Sequence, residues 1–511
     1  MGEIEFLFVL LVGAALLVRV ADLVSIPYPI VLVLGGLAAG SLPGVPEIEL
    51  EPEVVFLVFL PPLLQAAGWV ASPQELKVEI RPVALLVVGL VVATMCAVAV
   101  VAHATVEGMT WTAAFILGAV VAPTDPVAAL ATFGRLGVPQ RARLLVEGEA
   151  MLNDAVPLVA FRVAVAAALS GTFSFVDASV DFLIAAAGGI VVGLAAGWLS
   201  AAAIRRIPDR PLSIFVTVLT AYAAYIGAEE LGVSGVLGAV AAGLYGGWHA
   251  NSTLDADTRL SGLAFWEVLT FALNATLFVL LGTQFPFILE ELDADVALTE
   301  LLGAGLLVAL TVAAVRILWL LLPDPGLGDS TADRLAVGWA GMRGAISLAA
   351  ALSIPLAVPE RPEILFLTVV VILVTLVGQG LTLPAVVKVL GVRDERPWTP
   401  EEAIARLEAA QSALDRLDEL EDEGATEEQL RRLRDLYRAR FRQCQAVLTG
   451  EGDDGRAAAV EPRVRYSVLR KELIGVERNA LVGLRNTGRL RPDVLREIER
   501  DLDLEELRLR A

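Results

Sequence analysis

The chain has 511 residues, 56% of them hydrophobic, and a formal net charge of −20. Soluble domains run nearer half apolar and carry their apolar residues in stripes, so a chain whose apolar residues fall in twenty-residue blocks is excluded from that class. Its two cysteines, Cys96 and Cys444, supply neither a disulfide framework nor a metal–cysteine site, and no nucleic-acid partner is expected.

The apolar blocks fall at about 4–24, 27–45, 52–69, 82–104, 110–134, 143–170, 180–204, 211–229, 233–248, 263–285, 297–321, 334–356 and 363–390. A hydrocarbon core of about 30 Å takes about 20 residues of helix, so the expected fold is an all-α polytopic membrane protein of about thirteen spans. The first block opens on MGEIEF, which is acidic and lacks the basic region of a cleaved signal, and it reads as a span. With the N-terminus outside, Arg19, Lys77, Arg81, Arg135, Arg141, Arg143, Arg205, Arg206, Arg210, Arg259 and Arg334 all face inward, and only Arg361 faces outward. That asymmetry predicts a cell-membrane protein with a cytoplasmic C-terminus.

The transmembrane domain is expected over 1–390 and a cytoplasmic α-helical domain over 391–511. The latter contains EEAIARLEAAQSALDRLDELEDE and EEQLRRLRDLYRARFRQCQAVL, where apolar residues recur at three and four between opposite charges.

Ten charges remain inside the blocks: Asp125, Glu147, Glu149, Asp154, Arg162, Glu229, Glu230, Glu267, Arg316 and Arg343. Near a helix centre each costs roughly 2.5–3.5 kcal/mol by insertion scales, so each must be paired, watered or working. Glu229 and Glu230 end their span, and at least one is expected to reach the outer surface. Glu267 reads as lying near the start of its helix, where a carboxylate suits the dipole. Glu147 and Arg162 stay open between pairing and function.

Asp125 stands in GAVVAPTDPVAAL, between Pro123 and Pro126. Proline lacks the helical N–H and clashes with the carbonyl four residues back, so the fifth span should be broken in mid-membrane. Non-helical backbone at that depth is tolerated where it is buried in protein or lines a cavity. Thr124 and Asp125 there join freed carbonyls as hard oxygen donors suited to an alkali cation. A second interruption is expected in AVGWAGMRGAISLAAAL, the twelfth span, around Arg343. With the seventh span set aside as a linker, the two breaks hold matching places in two six-helix halves, the pattern of an inverted-repeat transporter with its site near the midplane. Arg343 is expected to counter the dipoles where the two breaks cross.

The stretch VEGEAMLNDAVPLVAFRV holds Glu149 and Asp154 five residues apart, hence about 140° apart around a helix. They can serve two surfaces. Glu149 is expected to bridge to Arg316, the remaining deep basic residue, which is too expensive unpaired. Asp154 is then expected to face the cavity opposite Thr124–Asp125, where a carboxylate that holds either a proton or a cation suffices for antiport.

PTDP, EGEAMLND and GMRGAISLA, in this order on thirteen spans, resemble the monovalent cation/proton antiporters of the sodium/proton exchanger type, in the bacterial cation:proton antiporter-1 family. PPLLQAAGW and AEELGVSGVLGAVAAGL are also similar to its bacterial members. The resemblance covers about residues 5–390. It implies a homodimer whose protomers each pair a dimerisation part with a six-helix core of crossed, discontinuous helices. It assigns competitive cation and proton binding to Asp154, a structural ion pair to Glu149 and Arg316, and the second arginine to Arg343. Asp154 and Thr124 are then ligands of the transported cation, with Asp125 and Asn153 beside them. Asn153, where relatives with a second aspartate are generally electrogenic, implies one-for-one electroneutral exchange. Ala150 departs from the family's frequent serine, which puts the full ligand set in question.

The expectation is therefore a secondary Na+/H+ antiporter, not an enzyme, serving pH and sodium homeostasis. It needs no cofactor besides the transported ions, which include K+ or Li+ in a second reading as a K+/H+ or broad monovalent-cation antiporter. Two other classes are remote. An ion channel would show a re-entrant filter rather than paired broken helices. An intramembrane aspartyl protease would carry a GxGD-type signature that neither Asp125 nor Asp154 has.

Overall fold

A computed structural model describes residues 3–24, 26–42, 52–70, 80–152, 155–170, 175–290, 292, 297–322, 330–392, 400–422, 427–449, 473 and 477. The regular elements among them are all helical. Contacts divide the chain into two units, Met1–Asp394 and Glu395–Ala511.

In the first unit α1 (Glu3–Val24), α2 (Tyr28–Gly40) and α3 (Pro52–Val70) precede α4, which runs Ile80–Ala84, a π-helical turn Leu85–Leu90, and Val91–Thr105. The fifth apolar block is two helices, α5 (Trp111–Val121) and α6 (Val127–Leu136), separated by Ala122–Pro126. Pro123 and Pro126 remove two backbone donors there, and the Asp125 carboxylate caps the helix that follows by accepting the Val127 N–H at 2.8 Å. Next come α7 (Gln140–Leu152), α8 (Ala155–Ser170), α9 (Phe175–Ile204), α10 (Arg210–Glu230), α11 (Gly235–Thr253), α12 (Ala256–Glu290) and α13 (Leu298–Leu320). The twelfth block is again two helices, α14 (Thr331–Trp339) and α15 (Ala345–Leu352). The last helix, α16, runs Arg361–Leu373, a second π-helical turn Val374–Gln379, and Gly380–Leu390.

Among the described residues six helices are long and apolar enough to cross a membrane on their own. The shorter apolar pieces include α2 and the two halves of the fifth block. In lipid the backbone must satisfy itself, and the apolar sequence leaves helix as the solution wherever proline or glycine does not intervene.

Small residues set the helix spacing. A Cβ on Gly36 of α2 would run into the Val279 carbonyl of α12, and one on Gly282 of α12 into the Val33 carbonyl of α2. Gly68 of α3 and Gly243 of α11 oppose each other's helices in the same way, with a Gly68 Cβ 2.5 Å from the Val240 carbonyl. Without a hydrophobic driving force between helices in lipid, such backbone contact is what gains packing energy. The first half of α16 is buried on every face from Ile364 to Ile372, so it is the central helix of the core.

Two sequence readings are corrected or closed. Glu267 is not near a helix start: α12 begins at Ala256, where Asp255 accepts the Thr258 N–H at 2.7 Å, and Glu267 lies three turns further on, beyond the reach of the dipole. The charged stretch before the apolar run simply continues the helix, because Asp255 caps it there. Arg162 forms a partly exposed ion pair with Glu229 at 2.9 Å, which closes its reading as pairing, and Glu229 also accepts the Gly235 N–H at 3.1 Å.

In the second unit α17 (Pro400–Asp422) and α18 (Glu427–Thr449) pack against each other through Ala410, Leu417, Leu430 and Cys444. Arg434 pairs with Asp418 at 2.7 Å.

Candidate ion-binding site at the two helix breaks

The two interruptions meet. Asp125 N–H donates to the Met342 carbonyl at 2.8 Å, so the backbone freed by Pro123 and Pro126 is satisfied by the backbone freed at Gly341–Gly344. Gly344 lies so close to the Asp125 side chain that a Cβ there would collide with its carboxylate. The glycine is needed for space, since its φ of −139° is ordinary extended backbone.

Arg343 is 1% exposed and donates through Nη1 to the Ala122 carbonyl, at the C-terminal end of α5. A helix C-terminus carries the negative end of its dipole, and a guanidinium is the matching charge. The Arg343 backbone N–H is held by Thr375 Oγ1 of α16 at 3.1 Å.

Glu149 of α7 and Arg316 of α13 form a bidentate pair, with Nη1–Oε1 at 2.5 Å and Nη2–Oε2 at 2.8 Å. Both are buried, at 2% and 1% exposure. Their remaining valences reach the two breaks. Thr124 Oγ1 donates to Glu149 Oε1 at 3.1 Å, and Arg316 Nε and Nη2 donate to the Val337 carbonyl at 3.4 and 3.3 Å. Gly341 abuts the Arg316 side chain, leaving no room for a Cβ. A fork of five donors fits this task and an ammonium does not. Thr124, Asp125, Glu149, Arg316 and Arg343 therefore belong to one contiguous assembly.

Asn153 and Asp154 lie outside the described residues; in the chain they follow Glu149 by four and five positions. The assembly also uses groups that sequence reasoning did not single out: the carbonyls of Ala122, Val337 and Met342, and the hydroxyl of Thr375. Backbone oxygens carry no sequence signal. Thr375, a hydroxyl within VILVTLVGQG, is a faint one.

The transmembrane sodium/hydrogen exchanger family matches residues 7–389. A protein of Mycobacterium tuberculosis named as an uncharacterized Na+/H+ exchanger is 34% identical over 507 residues, covering 94% of this chain and 91% of that protein. A Bacillus subtilis protein named as a sodium, potassium, lithium and rubidium/H+ antiporter is 34% identical over 391 residues, covering 70% of this chain and 57% of that protein. Among solved structures, the sodium proton antiporter MjNhaP1 of Methanocaldococcus jannaschii has the same fold, with a TM-score of 0.61 at 22% identity over 74% of this chain and 98% of that one. With two helix breaks meeting beside a buried glutamate–arginine pair, and with matches that run through all of these residues, the chain belongs to the transmembrane sodium/hydrogen exchanger family.

Proposed function

We propose that this sodium/hydrogen exchanger works as an electroneutral antiporter in which Na+ and H+ compete for Asp154, with Thr124, Asp125 and Asn153 beside it. The observation that carries the reading is the joining of the two breaks through Asp125 N–H and the Met342 carbonyl, flanked by Arg343 and by the Glu149–Arg316 pair. These contacts bring oxygen donors together around the fifth apolar block while burying two positive charges that keep the backbone ends compensated. Alternating access requires that one site be reached from either side in turn, and a carboxylate that must hold one ion or the other couples the two fluxes. Cation leaves when the proton arrives, and the reverse.

The architecture we assign is thirteen spans in inverted repeats with the fifth and twelfth crossed, the N-terminus outside and residues 391–511 in the cytoplasm. We assign a homodimer in the lipid of the cell membrane, with no cofactor and no nucleic acid. K+/H+ or broad monovalent-cation exchange is the second reading, favoured by the name of the Bacillus relative.

The test is Asp154→Asn in proteoliposomes under a pH gradient, with Na+, K+ and Li+ compared. The variant keeps the size and hydrogen bonding of the side chain but holds neither charge nor exchangeable proton, so it should fold, insert and lose exchange with every cation. Cation-dependent proton flux retained in well-folded Asp154→Asn vesicles assigns the carrier to Asp125 instead.

A further inference from the structure

The second break and α16, which meet, each carry a buried polar atom without a hydrogen-bond partner among the described residues. At one end of the π-helical turn, Thr375 Oγ1 accepts the Arg343 N–H at 3.1 Å. Just past its other end, a Cβ on Gly380 would stand 3.3 Å from Met342 Sδ. Gln379 lies between them in the chain, four residues after Thr375 and so on the same face of the helix. It is 5% exposed, and neither its amide nitrogen nor its amide oxygen has a hydrogen-bond partner among the described residues. Arg343 spends its N–H and Nη1, but its Nε–H is also buried without a partner among the described residues.

Buried polar groups are matched by protein or by ordered water with few exceptions. A guanidinium Nε–H can only donate and an amide oxygen can only accept, so each is what the other lacks. The π-turn itself is a known sort of local irregularity: one extra residue per turn is rare in helices and concentrates at functional sites. It also gives α16 a place to change register. Relaxing the turn to α-helix would rotate Gln379 relative to Thr375.

We propose that Gln379 is a positioning residue for Arg343. Its amide oxygen takes the Arg343 Nε–H, directly or through one water, and so latches the second break onto the Ala122 carbonyl in one half of the transport cycle. This rests on the antiport reading above for its role in transport, but the contact itself is independent of which ion moves.

The experiment is a double-mutant cycle on the full chain in proteoliposomes, with Gln379→Met, which keeps length and removes the acceptor, and Arg343→Lys, which has no Nε–H. Gln379→Met should slow saturated Na+/H+ turnover about three- to tenfold in the wild-type background and less than twofold in the Arg343→Lys background, since interacting sites are non-additive. Equal fold-effects in both backgrounds overturn the proposal. Hydrogen–deuterium exchange, which needs no activity, is the second measurement. Residues 340–347 should exchange several-fold faster in Gln379→Met than in wild type, with the rest of α16 unchanged. Unaltered exchange over 340–347 overturns the latch even if Arg343→Lys is inactive, and faster exchange confined to α16 assigns Gln379 to packing alone. A wild-type chain with no cation-dependent proton flux sinks the antiport reading while leaving this second measurement to judge the contact.

Discussion

Glu149 and Arg316 show what a charged pair can contribute at this depth. Taking two charges out of water costs several kcal/mol each, and the cost is recovered only with good geometry and further hydrogen bonds. Here the fork is bidentate, and Thr124 and the Val337 carbonyl use what is left. Removing one partner strands the other, at about 3–5 kcal/mol. Glu149→Gln or Arg316→Met alone should therefore lower the thermal unfolding temperature in detergent and the folded yield. The joint variant Glu149→Leu/Arg316→Met, which removes both charges, should recover much of that stability without recovering transport. Single variants as stable as wild type would contradict this account. The sequence made the pairing legible because Arg316 was the one deep basic residue outside Glu149's own span and the glycine-rich break. The hydroxyl and carbonyl that complete it were not legible, since their position depends on where the breaks lie in space.

At the scale of elements, prolines broke one span and glycines another, and both interruptions could be read from residue chemistry. The π-turns in α4 and α16 could not. Nothing in LLVVGL or VTLVGQ distinguishes an extra residue per turn from an ordinary apolar helix, because the irregularity comes from what the helix packs against. Both turns pack on α13, the helix of Arg316. The glycines at helix contacts divide by the same logic. A Cβ on Gly282 would lie 2.6 Å from Leu37 N and closer still to the Val33 carbonyl, so Gly282→Ala must push α2 from α12. Overpacking of this kind costs about 1–3 kcal/mol. Gly303 on α13 has nothing within 4 Å, and Gly303→Ala should stabilise by about 0.5–1 kcal/mol through helix propensity alone. Unfolding temperatures of the two variants moving in the same direction would refute the spacing argument.

For the whole molecule the consequence of a shared carboxylate is a pH dependence. If proton and Na+ exclude each other at one site, apparent Na+ affinity falls as pH drops, and saturating Na+ restores turnover on the acid side. The measurement is Na+-dependent collapse of a pH gradient in proteoliposomes across several pH values. An apparent affinity that does not move with pH would separate the proton from the cation site. One-for-one exchange adds that the rate is indifferent to a clamped membrane potential. Both outcomes concern the 511-residue chain with its second unit, Glu395–Ala511, in place.

From its sequence alone this protein was determined to be a membrane protein of many apolar helices, interrupted at Pro123–Pro126 and near Arg343, with too many buried charges for a passive scaffold. Those features follow from transfer free energies and from the backbone chemistry of proline and glycine, which act locally and can be read residue by residue. The tertiary structure decided what is nonlocal. It joined Asp125 to Met342 across more than two hundred residues, turned Arg343 toward the end of α5, and gave Arg162 to Glu229. It started α12 at Ala256, beyond the apolar run, and put extra residues into two helical turns. Each of these depends on which helices are neighbours, and that choice is made by backbone approach at glycines and by the satisfaction of buried polar groups, neither of which a linear pattern contains.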